Sequence, residues 1–414
     1  MNYGLIWEHL GHSWSKIIHE AMGEYSYELL ELRPEELEPF LRARRFSGIN
    51  VTIPYKQAVI PFLDELDPGA EAIGAVNTVV CRGGKLTGYN TDLGGMCALV
   101  RHMGLDLAGR KVLILGSGGT SRTAFAAADH LGAAEILRVS RSGRDGAVTY
   151  EQVASNHADA QILINTTPCG MYPNVEGMAL DPAAFPALEG VVDAVYNPLR
   201  TDMVLAAKRR GIPAEGGLYM LTAQAVLAAE HFTNRRFETH LTEDLYRMVL
   251  RSAGNLVLIG MPGSGKSTLG KALAARLNLT FRDLDEEIVR RDGRQITDIF
   301  SQDGEPFFRD LESQVTAEIA AQGGQVIATG GGCVLRDGNV HALRRSGTLF
   351  YLNRPLEDLL PTEDRPLADT AEKIRSLYTS REGRYRACAD RIIDHWDSPD
   401  GTLAQILAAW EELK

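Results

Sequence analysis

Residues 260–268 read GMPGSGKST and directly follow the apolar run LVLI at 256–259. This order predicts a buried parallel strand, a glycine-rich phosphate loop and the start of a helix. Glycines allow backbone N–H groups to approach a phosphate closely, and the helix N-terminus favours its negative charge. The loop therefore predicts a nucleotide site. Its expected contacts are Gly263, Ser264, Gly265, Lys266, Ser267 and Thr268.

Lys266 and Ser267 give this loop its chemistry. The lysine ammonium would place a positive charge beside the β- and γ-phosphates, and the serine hydroxyl would offer an oxygen ligand to Mg²⁺. The competing interpretation is a glycine-rich turn that only opens a helix. The apolar strand before the loop favours the nucleotide site, because phosphate loops occur in that context.

Length, composition and net charge limit the classes of protein to which the chain can belong. The chain has 414 residues, 44% of them hydrophobic and 23% charged, as expected for a globular protein with more than one domain. Its formal net charge of −11 argues against nucleic acid or an anionic membrane as the main partner. The five cysteines are scattered, and we find neither a membrane-spanning stretch nor a secretory leader. We therefore expect a reduced, cytoplasmic protein.

Short apolar runs alternate with helical stretches along the chain. Residues 1–100 contain a strand at 3–6 and an apolar run at 48–53, which predict an open α/β sheet. Residues 110–230 alternate more strongly and predict a doubly wound parallel sheet. The elements predicted there are strands at 111–115, 135–139, 161–165 and 190–195 and a helix at 120–131.

The stretch 236–252 predicts a helix that leads into the last part of the chain. Strands predicted at 279–283, 325–328 and 348–352 then complete a compact unit around the phosphate loop. The predicted fold class is α/β throughout. Its predicted domains are an open α/β domain at 1–100 with a return segment at 216–252, a Rossmann-type domain at 101–252 and a P-loop kinase-like domain at 253–414.

A second glycine-rich turn lies in RKVLILGSGGTSRT, residues 110–123. A pyrophosphate can rest on the helix N–H groups at such a strand-to-helix turn. Ser121 holds the place of the third glycine of G-x-G-x-x-G, so the motif alone is equally compatible with a structural turn. The cofactor contacts predicted from it are Gly116, Ser117, Gly118, Gly119 and Thr120.

Arg141 and Arg144 follow the next predicted strand. A site that prefers NAD carries an acidic residue there for the ribose 2′-hydroxyl, whereas arginines favour the 2′-phosphate of NADP(H). The alternative is a solvated loop.

The first 250 residues carry further motifs on both sides of this turn. They are HSWS at 12–15, NVTIPYK at 50–56, GAVNTVV at 74–80, GYNTDLGG at 88–95, NTTPCGM at 165–171 and GGLYMLTAQA at 216–225. In this order they resemble the shikimate dehydrogenase family along nearly the whole segment. The resemblance implies reduction of 3-dehydroshikimate to shikimate by NADPH.

The resemblance also implies a role for individual residues. Ser13 and Ser15 would bind the substrate carboxylate, Thr52, Asn77 and Gln224 would contact the ring hydroxyls, Lys56 and Asp92 would form the catalytic pair, and Thr166 and Met171 would contact the cofactor. A hydride that reaches a ketone carbon leaves charge on the oxygen, which a lysine ammonium can stabilise or protonate. Without the motif, Lys56 would be interpreted as a surface lysine after a Pro-Tyr turn.

From Asn255 onward the chain resembles shikimate kinase. Besides the phosphate loop, the motifs are RDLDEEI at 282–288, GEPFFRDLE at 304–312, IATGGG at 327–332, DRPL at 364–367 and REGRYRACAD at 381–390. The resemblance implies transfer of a phosphoryl group from MgATP to shikimate, with Lys266 among the catalytic residues.

Within this second resemblance, two aspartates at a strand end are assigned different tasks. Asp283 would assist Mg²⁺ through water, and Asp285 would contact or activate the attacking hydroxyl. The remaining implied residues are Arg309 and Arg381 on the shikimate carboxylate, Gly330, Gly331 and Gly332 close to the substrate, Glu312 beside Arg309, and Arg365 on a lid over the transferring phosphoryl group.

The sequence therefore predicts a bifunctional shikimate-pathway enzyme. It would use NADPH, ATP and Mg²⁺ and act on 3-dehydroshikimate and shikimate, with neither nucleic acid nor a membrane as partner. Two alternatives stay open at this point. The first domain could be a quinate/shikimate dehydrogenase that also oxidises quinate with NAD, or the chain could be a regulatory or binding module that keeps these folds without catalysis.

Overall fold

A computed structural model describes residues 2–8, 13–144, 146–359, 370–394 and 398–413 of the chain. The chain separates into two compact units. One comprises Met1–Tyr196 with Thr201–Val249, and the other Asn197–Arg200 with Leu250–Lys414. None of the helices in the described residues combines the length and the apolar character that a membrane crossing requires. All five cysteines are unpaired.

The first unit begins with a mixed sheet. Its strands are β1 (Tyr3–Trp7), β2 (Glu28–Glu31), β3 (Gly48–Val51), β4 (Glu65–Leu66), β5 (Thr78–Arg82) and β6 (Lys85–Tyr89), in the order β2-β1-β3-β5-β6-β4. The helices are α1 (Ser15–Ala21), α2 (Pro34–Ala43), α3 (Tyr55–Ala58), α4 (Pro68–Ile73) and α5 (Thr91–His102). Strand β5 is antiparallel to both β3 and β6. Gly83 and Gly84, with φ of 59° and 76°, form the tight reversal that makes this hairpin.

The second sheet of this unit is parallel, and it confirms the predicted doubly wound domain. Its strands are β7 (Lys111–Leu115), β8 (Glu135–Val139), β9 (Ile162–Asn165), β10 (Gly190–Asp193) and β11 (Ala214–Glu215), in the order β11-β10-β9-β7-β8. The helices are α6 (Gly119–His130), α7 (Tyr150–Asn156), α8 (Asp202–Arg209), α9 (Leu218–Thr233) and α10 (Leu241–Ala253). The strand order reverses between β7 and β9, where such sheets bind ligands beyond the strand ends.

Helix α10 begins at Leu241, later than the predicted start at 236. The carboxylate of Glu230 on α9 accepts a hydrogen bond from the backbone N–H of Phe237 and pairs with Arg236. These contacts hold residues 236 and 237 outside the helix.

The second unit contains another parallel sheet. Its strands are β12 (Asn255–Ile259), β13 (Thr280–Asp283), β14 (Gln325–Ala328), β15 (Gly347–Leu352) and β16 (Arg391–Ile393), in the order β13-β14-β12-β15-β16. The helices are α11 (Lys266–Leu277), α12 (Leu284–Asp292), α13 (Ile296–Gln302), α14 (Gly304–Ala320), α15 (Asp337–Ser346), α16 (Ala371–Cys388) and α17 (Pro399–Glu411). The phosphate loop therefore leaves the carboxyl end of the central strand.

Asn255 fixes the start of this central strand. Its side chain is fully buried. The amide nitrogen donates to the carbonyls of Ala320 and Gln322 at 3.3 and 2.7 Å, and the amide oxygen accepts from the N–H of Gln325 at 3.1 Å. One side chain thus sets the register of β12 against β14.

Candidate active sites

A cleft of ≈ 580 Å³ in the first unit is lined by residues of the first sheet, of helices α6 and α9, and of the segment that follows β10. The predicted substrate residues and most of the predicted cofactor turn share this cleft. Those that line it are Ser13, Ser15, Thr52, Lys56, Asn77, Asp92, Ser117, Gly118, Gly119, Thr120 and Gln224.

Lys56 and Asp92 form an ion pair at the cleft wall. The Lys56 Nζ lies 2.5 Å from Asp92 Oδ2, and the two side chains are 29% and 16% exposed. Lys56 comes from the short helix α3 after β3, and Asp92 from the first turn of α5, which Asn90 caps through the N–H of Leu93. The pair is thus partly shielded from water yet open to a ligand.

Asn77 links this pair to the rest of the cleft. Its amide nitrogen donates to Asp92 Oδ1 at 2.9 Å and to Gln224 Oε1 at 3.4 Å. Its amide oxygen accepts from the backbone N–H of Thr91 at 2.8 Å. The side chain is therefore held in one orientation by groups on both sides.

Ser13 and Ser15 lie close together among the residues that line the cleft. The backbone N–H of Ser15 donates to Ser13 Oγ at 3.1 Å, and Ser15 opens helix α1. Two hydroxyls beside a helix start suit a carboxylate. His12 of the same motif lies outside the described residues.

The glycine turn after β7 needs its first glycine for steric reasons. Gly116 has φ of 118°, and a Cβ there would lie 2.7 Å from Thr166 Oγ1. Gly118 and Gly119 have open space where a Cβ would stand, so a ligand can approach the backbone at the start of α6. Ser121 donates its hydroxyl to the Gly118 carbonyl at 2.6 Å, which explains how serine replaces the third glycine.

Besides Gly116, four predicted cofactor residues of the first unit do not line the cleft. The Thr166 hydroxyl donates to the Leu115 carbonyl at 2.6 Å, so it ties β9 to β7. Met171 is 45% exposed, and Arg141 and Arg144 are exposed in the loop after β8. These positions leave both arginines accessible to a phosphate in solution or on a ligand.

Sequence reasoning missed Tyr196 and Asp193, which follow and end β10. Tyr196 lines the cleft, and burial raises the pKa of its hydroxyl. The fully buried carboxylate of Asp193 accepts from the Asn165 amide at 2.9 Å, the Thr201 hydroxyl at 2.7 Å and the Val195 N–H at 2.9 Å. Both residues could have been found from the sequence, because ligands of parallel sheets bind beyond the carboxyl ends of the strands, and an acid and a tyrosine lie at that end of the predicted strand.

The phosphate loop of the second unit is preformed. Gly263 and Gly265 have φ of 79° and 90°, which favour glycine, and Lys266 donates to the carbonyls of Gly260 and Met261 at 2.9 Å. Ser264 Oγ is buried and has no hydrogen-bond partner among the described residues, as expected where a phosphate oxygen would accept. Thr268 is exposed on the first turn of α11.

Ser267 and the two aspartates meet beside this loop. Ser267 Oγ donates to Asp283 Oδ2 at 2.5 Å, while Asp283 Oδ1 caps α12 by accepting from the N–H of Asp285 at 3.0 Å. Oxygen donors of this kind suit Mg²⁺. The described residues contain no group of three or more His, Cys, Asp or Glu placed to hold a metal, so phosphates and water would have to complete its shell.

Arg309 is a buried guanidinium held by two carboxylates. It pairs with Glu312 at 2.8 Å and with Glu305 at 3.0 Å. A Cβ at Gly332 would overlap this guanidinium, and one at Gly330 would lie 2.7 Å from Asp285 Oδ1. The glycines therefore leave the space that these polar groups occupy.

Arg381 lies buried on α16, close to Tyr385. The Tyr385 hydroxyl donates to the Gly331 carbonyl. Burial raises the pKa of Tyr385 to about 12, although the nearby Arg381 acts in the opposite direction. Arg365 lies outside the described residues.

Comparison with known families matches both halves. The family model for shikimate kinase matches residues 262–411, and that for the shikimate dehydrogenase substrate binding domain matches residues 5–79. The shikimate dehydrogenase (NADP(+)) of Shouchella clausii is 37% identical over 276 residues, covering 60% of this chain and 98% of the relative. The enzyme of the same name from Clostridium perfringens is 34% identical over 261 residues, covering 59% and 96%.

Solved structures give the same result for the first unit. A shikimate 5-dehydrogenase from Thermus thermophilus, in complex with NADP(H) and shikimate, has a TM-score of 0.53 at 32% identity and covers 60% of this chain and 99% of its own. A chorismate mutase/shikimate 5-dehydrogenase fusion protein from Clostridium acetobutylicum has a TM-score of 0.57 at 29% identity, covering 60% and 96%. Quinate dehydrogenase from Corynebacterium glutamicum, in complex with NAD, has a TM-score of 0.54 at 28% identity, covering 60% and 98%.

Proposed function

We propose two consecutive reactions for this chain, which belongs to the shikimate dehydrogenase family and continues into a shikimate kinase domain. The first is reduction of 3-dehydroshikimate to shikimate, and the second is phosphorylation of shikimate at its 3-hydroxyl. The observation that carries the first reaction is the Lys56–Asp92 pair in a cleft that also contains the glycine turn.

The proposed chemistry of the first unit centres on Lys56. NADPH, when bound, supplies the hydride that the ketone carbon accepts. The Lys56 ammonium would stabilise the charge that grows on the ketone oxygen and donate the proton. Asp92 would hold the ammonium through Oδ2, while its Oδ1 is occupied by the Asn77 amide.

The other cleft residues are proposed to orient the substrate. Ser13 and Ser15 would bind its carboxylate, since their oxygens lie together beside the start of α1. Thr52, Asn77 and Gln224, which also line the cleft, would contact the ring hydroxyls. We add Tyr196 to this group because it lines the same cavity.

NADP(H) is the proposed cofactor of the first unit. The open backbone at Gly118 and Gly119 would receive the pyrophosphate, and the exposed Arg141 and Arg144 would pair with the 2′-phosphate. The names of the curated relatives carry NADP(+), which supports this choice over NAD. Thr166 and Met171 are proposed to lie at the edge of the cofactor.

The second unit is proposed to transfer a phosphoryl group. MgATP, when bound, supplies the γ-phosphoryl group and a metal that neutralises its charge. Lys266 and the loop N–H groups would hold the phosphates, and Ser267 and Asp283 would hold the metal, directly or through water. Asp285 would orient the attacking hydroxyl, and the Gly330–Gly332 backbone would lie against the shikimate ring.

Shikimate itself would be held by the two buried arginines, Arg309 and Arg381. A planar guanidinium binds a carboxylate through two parallel hydrogen bonds, which an ammonium cannot do. Glu312 keeps Arg309 in place through the 2.8 Å ion pair. The closing role of Arg365 and the domain bounds 1–100, 101–252 and 253–414 stay predictions from the sequence.

The test uses the purified full chain with 3-dehydroshikimate, NADPH and MgATP. We expect loss of NADPH absorbance and a phosphorylated product in the mass spectrum. Omission of NADPH should stop both steps, and omission of ATP only the second. Turnover of neither substrate would overturn the proposal in favour of a non-catalytic module. Faster turnover of quinate with NAD⁺ than of shikimate with NADP⁺ would replace the first reaction.

A further inference from the structure

Tyr27 is a fully buried tyrosine of the first unit, just before β2. Its hydroxyl donates to Asn50 Oδ1 at 2.7 Å. Its ring stacks on that of His19 at a centroid distance of 4.1 Å and an interplanar angle of 3°. Burial lowers the pKa of His19 to about 3, so this stacking partner is uncharged near neutral pH. The Tyr27 ring therefore packs on an uncharged imidazole that itself lies beside the Asn50 side chain.

Asn50 lies on β3 with its side chain buried. Its amide nitrogen donates to Thr78 Oγ1 at 3.0 Å and to the Asn77 carbonyl at 3.3 Å. An amide can bind in two orientations that exchange its oxygen and nitrogen. The Tyr27 donor requires an acceptor opposite it, and the Asn77 carbonyl requires a donor, so these two groups together fix which end of the Asn50 amide faces Thr78.

The hydrogen bonds continue from Thr78 to the proposed catalytic pair. The Thr78 hydroxyl, which accepts from Asn50, donates to Asn77 Oδ1 at 3.1 Å. The Asn77 amide nitrogen then donates to Asp92 Oδ1 at 2.9 Å, and Asp92 Oδ2 accepts from Lys56 Nζ at 2.5 Å. From Tyr27 to Asp92, each residue donates a hydrogen bond to the next one. We call these residues, Tyr27, Asn50, Thr78, Asn77 and Asp92, the amide chain.

We propose that Tyr27 is a positioning residue for the reduction, acting through the amide chain on Asp92 and Lys56. The inference rests on the proposed dehydrogenase reaction. A tyrosine that only fills the core would act through its ring, which a phenylalanine reproduces. A positioning tyrosine acts through its hydroxyl. Without that donor the buried Asn50 oxygen loses its partner, and the 3.3 Å bond to the Asn77 carbonyl is left to orient the amide nitrogen that donates to Thr78.

The experiment compares Tyr27→Phe with Tyr25→Phe in the full-length chain. Tyr25 belongs to the same aromatic cluster, and its hydroxyl also makes a 2.7 Å hydrogen bond, to His19 Nδ1, outside the amide chain. We expect Tyr27→Phe to lower kcat for 3-dehydroshikimate reduction about three- to tenfold, the range for loss of one hydrogen bond. The KM for NADPH and the kinase activity should not change, and Tyr25→Phe should stay within about twofold of the parent in kcat.

A second variant, Thr78→Val, interrupts the amide chain at another link and keeps the side-chain shape. We expect a similar loss of kcat, and in the double variant Tyr27→Phe/Thr78→Val a loss no greater than that of the worse single variant, because the chain is already broken. If Tyr27→Phe fails to fold, Thr78→Val alone carries the prediction.

The inference would be overturned if either Tyr27→Phe or Thr78→Val kept the parental kcat, or if Tyr25→Phe lost as much kcat as Tyr27→Phe. It would also be overturned if the fold-loss of kcat in the double variant equalled the product of the two single losses. A parent chain that reduces no 3-dehydroshikimate would instead overturn the proposed function.

Discussion

At the scale of single residues, Lys56 is the most direct test of the ketone chemistry. Replacement Lys56→Ala should lower kcat for reduction about a hundredfold or more, the usual contribution of a general acid. Phosphorylation of supplied shikimate should be unchanged, since the residues proposed for it lie in the other unit. Steady-state rates of both reactions, measured on one preparation, check this.

The matched control for Lys56 is Lys85→Ala. Lys85 also pairs with a carboxylate, Glu65, but about half of each side chain is exposed and neither residue lines the cleft. Both activities should stay at the parental level in this control. A Lys56→Ala chain that keeps more than about a tenth of the parental kcat would contradict the role of Lys56 in proton transfer.

Asp193 predicts a pH dependence of stability. Burial raises the pKa of its carboxyl from 3.8 to about 6. A raised pKa stabilises the folded state fully below the unfolded value of 3.8, and this contribution is lost as the pH rises through about 6. The difference corresponds to about 3 kcal/mol at most, because each pKa unit is worth about 1.4 kcal/mol.

The measurement is chemical unfolding of the parent and of Asp193→Asn between about pH 4 and 7. The free energy of unfolding of the parent, relative to the variant, should fall with rising pH. The lost hydrogen bonds add an offset that does not depend on pH, so only the slope is diagnostic. A constant difference would show that Asp193 has an ordinary pKa in the folded chain.

Arg141 predicts cofactor preference. Arg141→Ala should raise the KM for NADPH at least about tenfold more than that for NADH, because a charge-assisted phosphate contact is worth roughly 1.5–3 kcal/mol. Arg144→Ala is the companion variant in the same loop. If only Arg144→Ala changed the KM for NADPH relative to NADH, Arg144 would be the residue that contacts the 2′-phosphate. If neither variant changed it, the two arginines would not explain a preference for NADP(H).

Single residues also mark the limit of prediction from sequence. Lys56, Asp92, Lys266 and Asp283 could be proposed from the sequence because each lies in a short local motif of the two families that the chain resembles, and their roles stay predictions. The bond from Tyr27 to Asn50 spans 23 positions, and that from Asn77 to Gln224 spans 147. Neither follows from a local pattern, because the partners meet only after the strands are paired.

At the scale of elements, the loop after β14 depends on a glycine. A Cβ at Gly332 would overlap the Arg309 guanidinium, which is held by Glu305 and Glu312. Gly332→Ala should therefore displace Arg309 and raise the KM of the kinase reaction for shikimate about tenfold or more, by the loss of a charged hydrogen bond. Reduction by the first unit should be unaffected.

Gly338→Ala on α15 is the control for this element, because no atom lies within 4 Å of a Cβ there. It should leave the KM for shikimate unchanged. Equal KM values in Gly332→Ala and the parent would mean that Arg309 does not bind the substrate.

The bounds of strands and helices were predicted well where the apolar pattern is strong. They were predicted less well where side-chain contacts between distant residues determine where an element begins. The strands at 111–115, 135–139 and 325–328 have the observed bounds, since each is a short apolar run between turns. Helix α10 starts five residues later than predicted, because Glu230 holds the preceding backbone. The antiparallel β5–β6 hairpin was not predicted, although the Gly83-Gly84 pair is its signal.

At the scale of the whole molecule, each unit contains its own sheets and the residues proposed for one reaction. A cut between Ser252 and Asn255 should therefore give two fragments that each keep their activity. The check is the rate of each reaction with the separate fragments, under the conditions used for the intact chain. Loss of either activity in a folded fragment would show that one unit needs the other.

The same fragments test for transfer of shikimate within the chain. We expect equal lag phases, from 3-dehydroshikimate to the phosphate, for the intact chain and for an equimolar mixture of fragments. A net charge of −11 gives an anionic intermediate no attractive path over the surface as a whole. A lag that vanishes only in the intact chain, and resists dilution by labelled shikimate, would contradict this expectation.

The buried Asn255 also determines when the nascent chain can pair strand β12 during synthesis. Its three partners lie 65, 67 and 70 positions further along, so β12 cannot acquire its register until they have been made. At roughly 5–20 residues per second, the ribosome takes on the order of 4 to 14 seconds to make them. For that time the apolar strand before the phosphate loop has no partner from its own sheet, and we expect it to be the segment that chaperones protect during synthesis.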